Sequence, residues 1–314
     1  MKLSSTLQRF ISIVFLVALC GGYAHAQRLV VVGWNIESGG ATDAAVAQRV
    51  RRFQGVDLWG LSEVQSDTAL RSFETATEDG ENGADFKRIL STTGCGDRLG
   101  IVYNATRLQL VGSQELHRVT YNADTPPPSN CQRSPLVAEF VDTRSSKRFL
   151  FMVNHLARGD NNLRRNQGQR LNEWVRTQTL PVIACGDYNF DWSVTNGEQS
   201  HDVGFDQMTA DNHWTWVRPA TLVRSQCNPN FDSVLDFVFA NAAARPLALT
   251  SVILQEANDC GNVAANPDHR PLRTEFELGA VAPAPGPTRA ELLQQIETLE
   301  RQILGLKTLI QRLP

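Results

Sequence analysis

Short polar motifs stand in a fixed order along this chain, each beside an apolar run: Trp34-Asn35-Ile36-Glu37, Leu61-Ser62-Glu63, Asn154-His155, Gly186-Asp187-Tyr188-Asn189, Leu235-Asp236-Phe237 and Pro267-Asp268-His269-Arg270. Carboxylates, carboxamides and imidazoles gain nothing by leaving water, so their repeated placement at strand ends predicts one polar site assembled by the fold. Glu63, Asp268 and Asn35 offer oxygen donors with no thiolate near them in sequence. Such a set suits a hard divalent cation, Mg2+ or in its place Mn2+ or Ca2+, better than zinc. Hydrolysis of a phosphate ester needs an activated water, neutralised phosphoryl oxygens and help for the leaving oxygen, and these residue types can supply each.

Taken together and in this order, the motifs resemble the endonuclease/exonuclease/phosphatase superfamily, which includes pancreatic deoxyribonuclease, abasic-site endonucleases, bacterial sphingomyelinases and inositol-polyphosphate phosphatases. The resemblance runs from Val30 to Phe276 and rests on the joint order, since each tripeptide alone is a weak signal. It implies a four-layer α/β/β/α sandwich of two stacked mixed sheets. It also implies Glu63 as the principal metal ligand, Asn35 on metal or phosphate, and Asp268 supporting the metal or the neighbouring imidazole. His269 resembles the general base, oriented by Asp236, whose carboxylate would fix the imidazole tautomer. Asp187 and Asn189 resemble the pair that positions water and hydrogen-bonds the phosphate. His155 matches the histidine that deoxyribonuclease-like members and sphingomyelinases place beside the leaving group, and Arg133 resembles a phosphate-binding arginine preceding a proline. Arg98 is a second possible phosphate contact. Leu99 departs from the nuclease branch, which carries an aromatic residue there.

The implied activity is that of a metal-dependent phosphodiesterase acting on DNA or RNA. A phospholipase C of sphingomyelinase type and a phosphomonoesterase are the alternatives at the same site. A non-enzymatic scaffold would be expected to have lost part of the constellation, and here every motif is filled.

Composition sets the cellular context. Lys2 and Arg9, the apolar stretch Phe10 to Cys20 and Ala24-His25-Ala26 form the three-part layout of a secretory signal cleaved after Ala26, so the expected location is secreted or periplasmic. The apolar run is about half the ~20 residues a membrane span needs. Removing residues 1–26 leaves 28 basic against 33 acidic side chains, a net of −5. That balance disfavours a broad basic groove for long nucleic acids, while leaving room for a few local phosphate contacts. Export permits disulfides; loop positions pair Cys95 with Cys131 and Cys227 with Cys260, with Cys185 buried in its strand.

These groups must be positioned by a strand-rich domain. Leu29 to Gly33, Val56 to Leu61, Leu99 to Tyr103, Leu108 to Val111, Leu136 to Val141, Phe149 to Val153, Pro181 to Cys185, Leu235 to Ala240, Leu247 to Leu254 and Leu272 to Phe276 read as strands. Asp43 to Phe53 and Asn161 to Thr177 read as helices. Arg158, Arg164, Arg165 and Arg170 read as a mostly solvated helix face, and Trp192, Trp214 and Trp216 as loop residues that are partly core. The catalytic domain is expected over 27–278, followed by a Pro/Gly spacer at 279–288 and a helix over 289–313. Thr288 and Glu291 form a capping-box pattern. Leu292, Ile296, Leu299, Ile303, Leu306, Ile310 and Leu313 then recur at alternating steps of four and three, the pattern of a parallel two-stranded coiled coil and hence of a homodimer.

Overall fold

The computed structural model describes residues 28–39, 41–127, 130–256, 259, 266–279 and scattered positions between 293 and 304. In chain order the strands and helices are β1 (Arg28–Asn35), α1 (Ala41–Val50), β2 (Leu58–Val64), α2 (Asp67–Gly80), β3 (Phe86–Leu90), β4 (Arg98–Asn104), β5 (Leu108–Glu115) and α3 (His117–Tyr121). They continue as β6 (Leu136–Asp142), β7 (Lys147–His155), α4 (Asn161–Val175), β8 (Val182–Ser193), α5 (Val203–Thr209), β9 (Trp214–Trp216), β10 (Ser233–Asn241), β11 (Ala248–Ile253) and β12 (Leu272–Glu277).

The strands form two six-stranded sheets, ordered β11-β12-β1-β2-β4-β3 and β5-β6-β7-β8-β10-β9. Each is mixed: β1 with β2 and β7 with β8 run parallel, and the other pairs run antiparallel. The alternation of β1 shows how the layers close. Leu29 and Val31 point into the core that also holds Phe151, Val153 and Cys185 of the second sheet. Val30, Val32 and Trp34 point the other way, against Val46 and Val50 of α1 and Leu70 and Phe73 of α2. A strand buried on both faces reads as an unbroken apolar run, as Leu29 to Val32 does. On the far side, α4 and α5 cover the second sheet, giving the α/β/β/α sandwich.

Close contact between the sheets depends on absent side chains. A Cβ at Gly33 would sit 3.0 Å from the Cβ of Cys185, and one at Gly60 would overlap its Sγ. These glycines let β1 and β2 approach β8 at the level where all three strands end in polar residues.

Several elements differ from expectation. Trp192 closes β8, and Trp214 and Trp216 form β9, so none of the three lies in a loop. Arg164 is 5 % exposed, its guanidinium bonded to the carbonyls of Ala157 and Arg158 and to Asp202, and so it is not part of a solvated face. Helices α2 and α5 and strand β3 were not expected from the chain's periodicity. Cys95 and Cys131 form a disulfide and Cys185 is a buried free thiol. Cys227 is also disulfide-bonded; Cys260 lies outside the described residues, as do residues 1–26 and the 280–288 part of the spacer.

The chain divides into two compact units at Gly279. In the second, the described positions are helical, and Ile296 and Ile303 are 50 % and 51 % exposed. The remaining heptad positions lie outside the described residues. Among the described residues no helix is long and apolar enough to cross a membrane.

Gly60→Ala should lower unfolding free energy by about 1–3 kcal/mol through overpacking. Adding Cys185→Ala should restore part of that loss in a denaturant-unfolding series, whereas independent, additive losses would show that the sheets do not meet at this contact.

Candidate active site

Register explains how distant motifs meet. Parallel pairing places Asn35 of β1 beside Ser62 of β2, with Glu63 next in the chain. Parallel pairing of β7 with β8 sets His155 beside Asp187, and the antiparallel β8–β10 pair sets Asp236 on the other side of Asp187. His269 follows β11 in the chain and is fixed by an isolated bridge to Gln226. Two local distortions serve this edge. Gly186 at φ +138° has no room for a Cβ against the carbonyl of Asn154, so only glycine turns the strand into Asp187. Glu63 and Asn189 adopt left-handed backbone at φ 59° and 53°, an uncommon conformation outside glycine that collects at functional positions.

One oxygen organises the centre. Asp187 Oδ2 accepts a hydrogen bond from Asn35 Nδ2 at 3.1 Å and lies 3.6 Å from His155 Nε2 and 3.8 Å from His269 Nε2. The same Asn35 amide donates to Glu63 Oε1 at 2.9 Å, and its oxygen accepts the Glu37 N–H at 3.2 Å. Asp187 Oδ1 accepts the backbone N–H of Asn189 at 2.9 Å, while Asn189 Nδ2 donates to the Leu156 carbonyl. Glu63, His155 and Asp187 each present a ligating atom within 4.8 Å of the others.

Each imidazole has its own carboxylate. His269 Nδ1 is 2.7 Å from Asp236 Oδ2 and His155 Nδ1 is 3.1 Å from Asp97 Oδ1. Both rings therefore turn Nε2 toward Asp187. Burial alone would favour neutral His269, but Asp236 first, then Asp187 and Asp268, push its pKa up to about 10. Asp236 itself is raised by burial, against the pull of His269. Burial works against the charge of Asp97 too, yet His155 and then Arg133 hold its pKa below the usual carboxylate range.

Asp268 is about half exposed, with Oδ1 3.8 Å from His269 Nε2, and its backbone N–H reaches Glu37 Oε2 at 3.2 Å. The Glu37 carboxyl is raised by burial, then by Asp268 and Glu63. Arg133 is 8 % exposed, donates to the Leu156 carbonyl at 3.1 Å and approaches Asp97 at 3.3 Å; its buried Nε has no partner among the described residues. Arg98 instead donates to the Gln65 carbonyl, and Leu99 is fully buried.

Nine of the ten residues given a role from sequence are thus joined at this site, by direct contacts or through Leu156; the tenth, Arg98, turns to the Gln65 carbonyl. Asp97 and Glu37 complete it without having been assigned a role. The signal for Asp97 was its place two residues after a cysteine expected in a disulfide. The Cys95–Cys131 bridge ties the Asp97 loop to the Arg133 segment, so one covalent link joins the anchor of His155 to the arginine.

A model of the Endonuclease/Exonuclease/phosphatase family matches residues 32–259. Comparison with curated proteins finds no match. Among solved structures, an endonuclease/exonuclease/phosphatase family protein from Bacteroides thetaiotaomicron is 18 % identical, with 79 % of this chain and 97 % of that chain covered and a TM-score of 0.59. A mannosyl-6-phosphatase from the same organism is 18 % identical over 78 % of this chain and 98 % of that chain, at 0.56. D. rerio TDP2 complexed with single strand DNA product is 14 % identical over 79 % and 98 %, at 0.59. At these identities the likeness is one of fold.

The disulfide closes a separation of 36 residues, so replacing both Cys95 and Cys131 by serine should lower stability by about 3–4 kcal/mol on the loop-entropy account. Urea unfolding of the double variant measures it, and an unchanged midpoint would mean the link constrains nothing.

Proposed function

The chain belongs to the endonuclease/exonuclease/phosphatase family, and from that premise we propose that it is a metal-dependent phosphodiesterase cleaving DNA or RNA. The observation that carries this reading is the pair of buried imidazoles, each anchored by its own carboxylate and both aimed at Asp187. Cleaving a diester requires a proton to leave the attacking water and another to reach the departing oxygen. Two separately oriented histidines are suited to one transfer each.

In this reading His269 takes the proton from water, with Asp236 stabilising the imidazolium that forms. His155 serves the leaving oxygen, its tautomer set by Asp97. Asp187 and Asn189 orient the water and the phosphate, and Arg133, beside the Asp97 that anchors His155, supplies a guanidinium to a phosphoryl oxygen.

The donor set fits a divalent cation. Glu37, Glu63, Asp187 and Asp268 crowd together facing imidazoles, with no lysine or arginine paired to them among the described residues, and burial first, then Asp268, raises the Glu37 carboxyl. Glu63 would hold the ion, with Asn35 and Asp268 supporting it and Asp187 adjacent. Asn35 turns its NH2 to the carboxylates, so its oxygen would serve as a ligand only after the amide flips. Bound there, Mg2+, Mn2+ or Ca2+ would neutralise charge on the phosphoryl oxygens.

Export with removal of residues 1–26 completes the reading. The three disulfide-bonded cysteines among the described residues, Cys95, Cys131 and Cys227, suit an oxidising compartment.

Plasmid DNA, RNA, sphingomyelin and a small phosphate monoester, assayed side by side with Mg2+ and with chelator, should give hydrolysis of a nucleic acid only when the metal is present. His269→Ala should reduce that rate by roughly 10²–10⁴-fold, and an unchanged rate would remove His269 from the mechanism. Independently of activity, adding Mg2+ or Mn2+ to chelated protein should raise the melting temperature, with Glu63→Gln cancelling the rise. A melting temperature that ignores both metals would contradict the assigned ligand set.

A further inference from the structure

Beyond β8's catalytic residues, Trp192 at the end of the same strand turns to the helix-covered face of the second sheet. There it meets Phe205 of α5 at 4.8 Å, Trp216 of β9 at 5.0 Å and His201, stacked at 4.7 Å. Together these rings line an open cavity of about 400 Å3, within the size range of small-ligand sites. None of them belongs to the phosphoester centre.

Two features mark the cavity as more than core packing. First, Trp192 is 2 % exposed, yet among the described residues its indole nitrogen has no hydrogen-bond partner, and neither have the indole nitrogen of Trp216 and Nδ1 of His201. Buried polar groups left unpaired are costly, and three around one cavity point to a ligand that pairs with them. Second, the guanidinium of Arg218 lies 5.4 Å from the Trp192 ring centre and 5.2 Å from that of Trp216. It marks a place where a flat group meets both indoles. Apart from those two indole faces, its one ion pair among the described residues is a 3.8 Å approach to Glu198, and Arg218 and Glu198 are 46 % and 81 % exposed.

Charge selects the class of ligand. Glu198 and Asp206 line the cavity against the one guanidinium, with Asp206 Oδ1 accepting from His201 Nε2 at 2.9 Å. Two carboxylates oppose a polyanion. A cation would have to displace Arg218 from the same aromatic faces for no gain. A neutral polyhydroxylated ring meets every group present: its C–H face stacks on indole, and its hydroxyls both accept from indole N–H and donate to carboxylate.

We infer that this cavity is a carbohydrate-binding site, separate from the phosphoester centre, that takes a neutral sugar ring in the place now held by the Arg218 guanidinium. The inference stands whatever ester the other site hydrolyses. Cello-, xylo-, malto-, manno- and chito-oligosaccharides, titrated into the full chain by calorimetry and tryptophan fluorescence, should include at least one that binds and shifts the emission. Trp216→Ala should weaken that binding by at least about tenfold, Trp216→Phe should retain it, and Asp206→Asn should weaken it several-fold. Circular dichroism confirms that each variant is folded, and phosphoester hydrolysis by the Trp216 variants should match the parent. Arg218→Ala should bind the saccharide at least as well as the parent, because it vacates the ring's place. The inference is overturned if no saccharide binds up to about 10 mM, if binding ignores Trp216→Ala, or if a short single-stranded oligonucleotide binds in their stead and is lost with Arg218→Ala.

Discussion

The arrangement hangs on one carboxamide. Asn35, at the end of a strand in the first sheet, gives one amide nitrogen to Glu63 of its own sheet and to Asp187 of the other. Without a donor between them, two carboxylates this close would repel across the seam between the sheets. The amide can bridge them only because the seam is narrow, and it is narrow because Gly33 and Gly60 leave space for Cys185. Packing in the core and charge at the edge are thus the same constraint seen at two heights along β1, β2 and β8.

From that bridge the electrostatics follow. Negative groups outnumber positive ones at the edge, and both imidazoles lie among them. The carboxylates around His269, Asp236 foremost, raise its pKa against the effect of burial, and a cation bound among the same oxygens would offset that pull. The chemistry proposed for the site uses this tension, since a ring that shares its carboxylates with a cation can release and recover a proton.

Much of this was legible in the chain. Strand ends carrying Asn35, Glu63, His155, Asp187 and Asp236 announce themselves because an apolar run stopping at a charged or amide residue has few structural uses. Period-two alternation and doubly buried runs located most of the strands. What escaped notice had no periodic signature. Asp97 sits in the short loop Gly94-Cys95-Gly96-Asp97, where only the folded disulfide shows that it faces His155. Arg164 lies in a helix of polar composition, and nothing in its spacing distinguishes a guanidinium that caps buried carbonyls from one in water. Strand β9 has three residues, too few to alternate, and Trp192 lies past a left-handed turn in β8 that breaks the count.

Cys185 carries a last consequence. Its thiol is fully buried, and burial drives its pKa far above the usual thiol range. Once the sheets have closed, it is neither reachable nor ionised, so it takes no part in sulfur exchange. In the open chain it is an ordinary competitor for Cys95, Cys131 and Cys227. Correct pairing therefore depends on order: the two sheets must meet over this residue before oxidation is complete, and refolding under fast oxidants should trap mispaired chains that slower oxidation avoids.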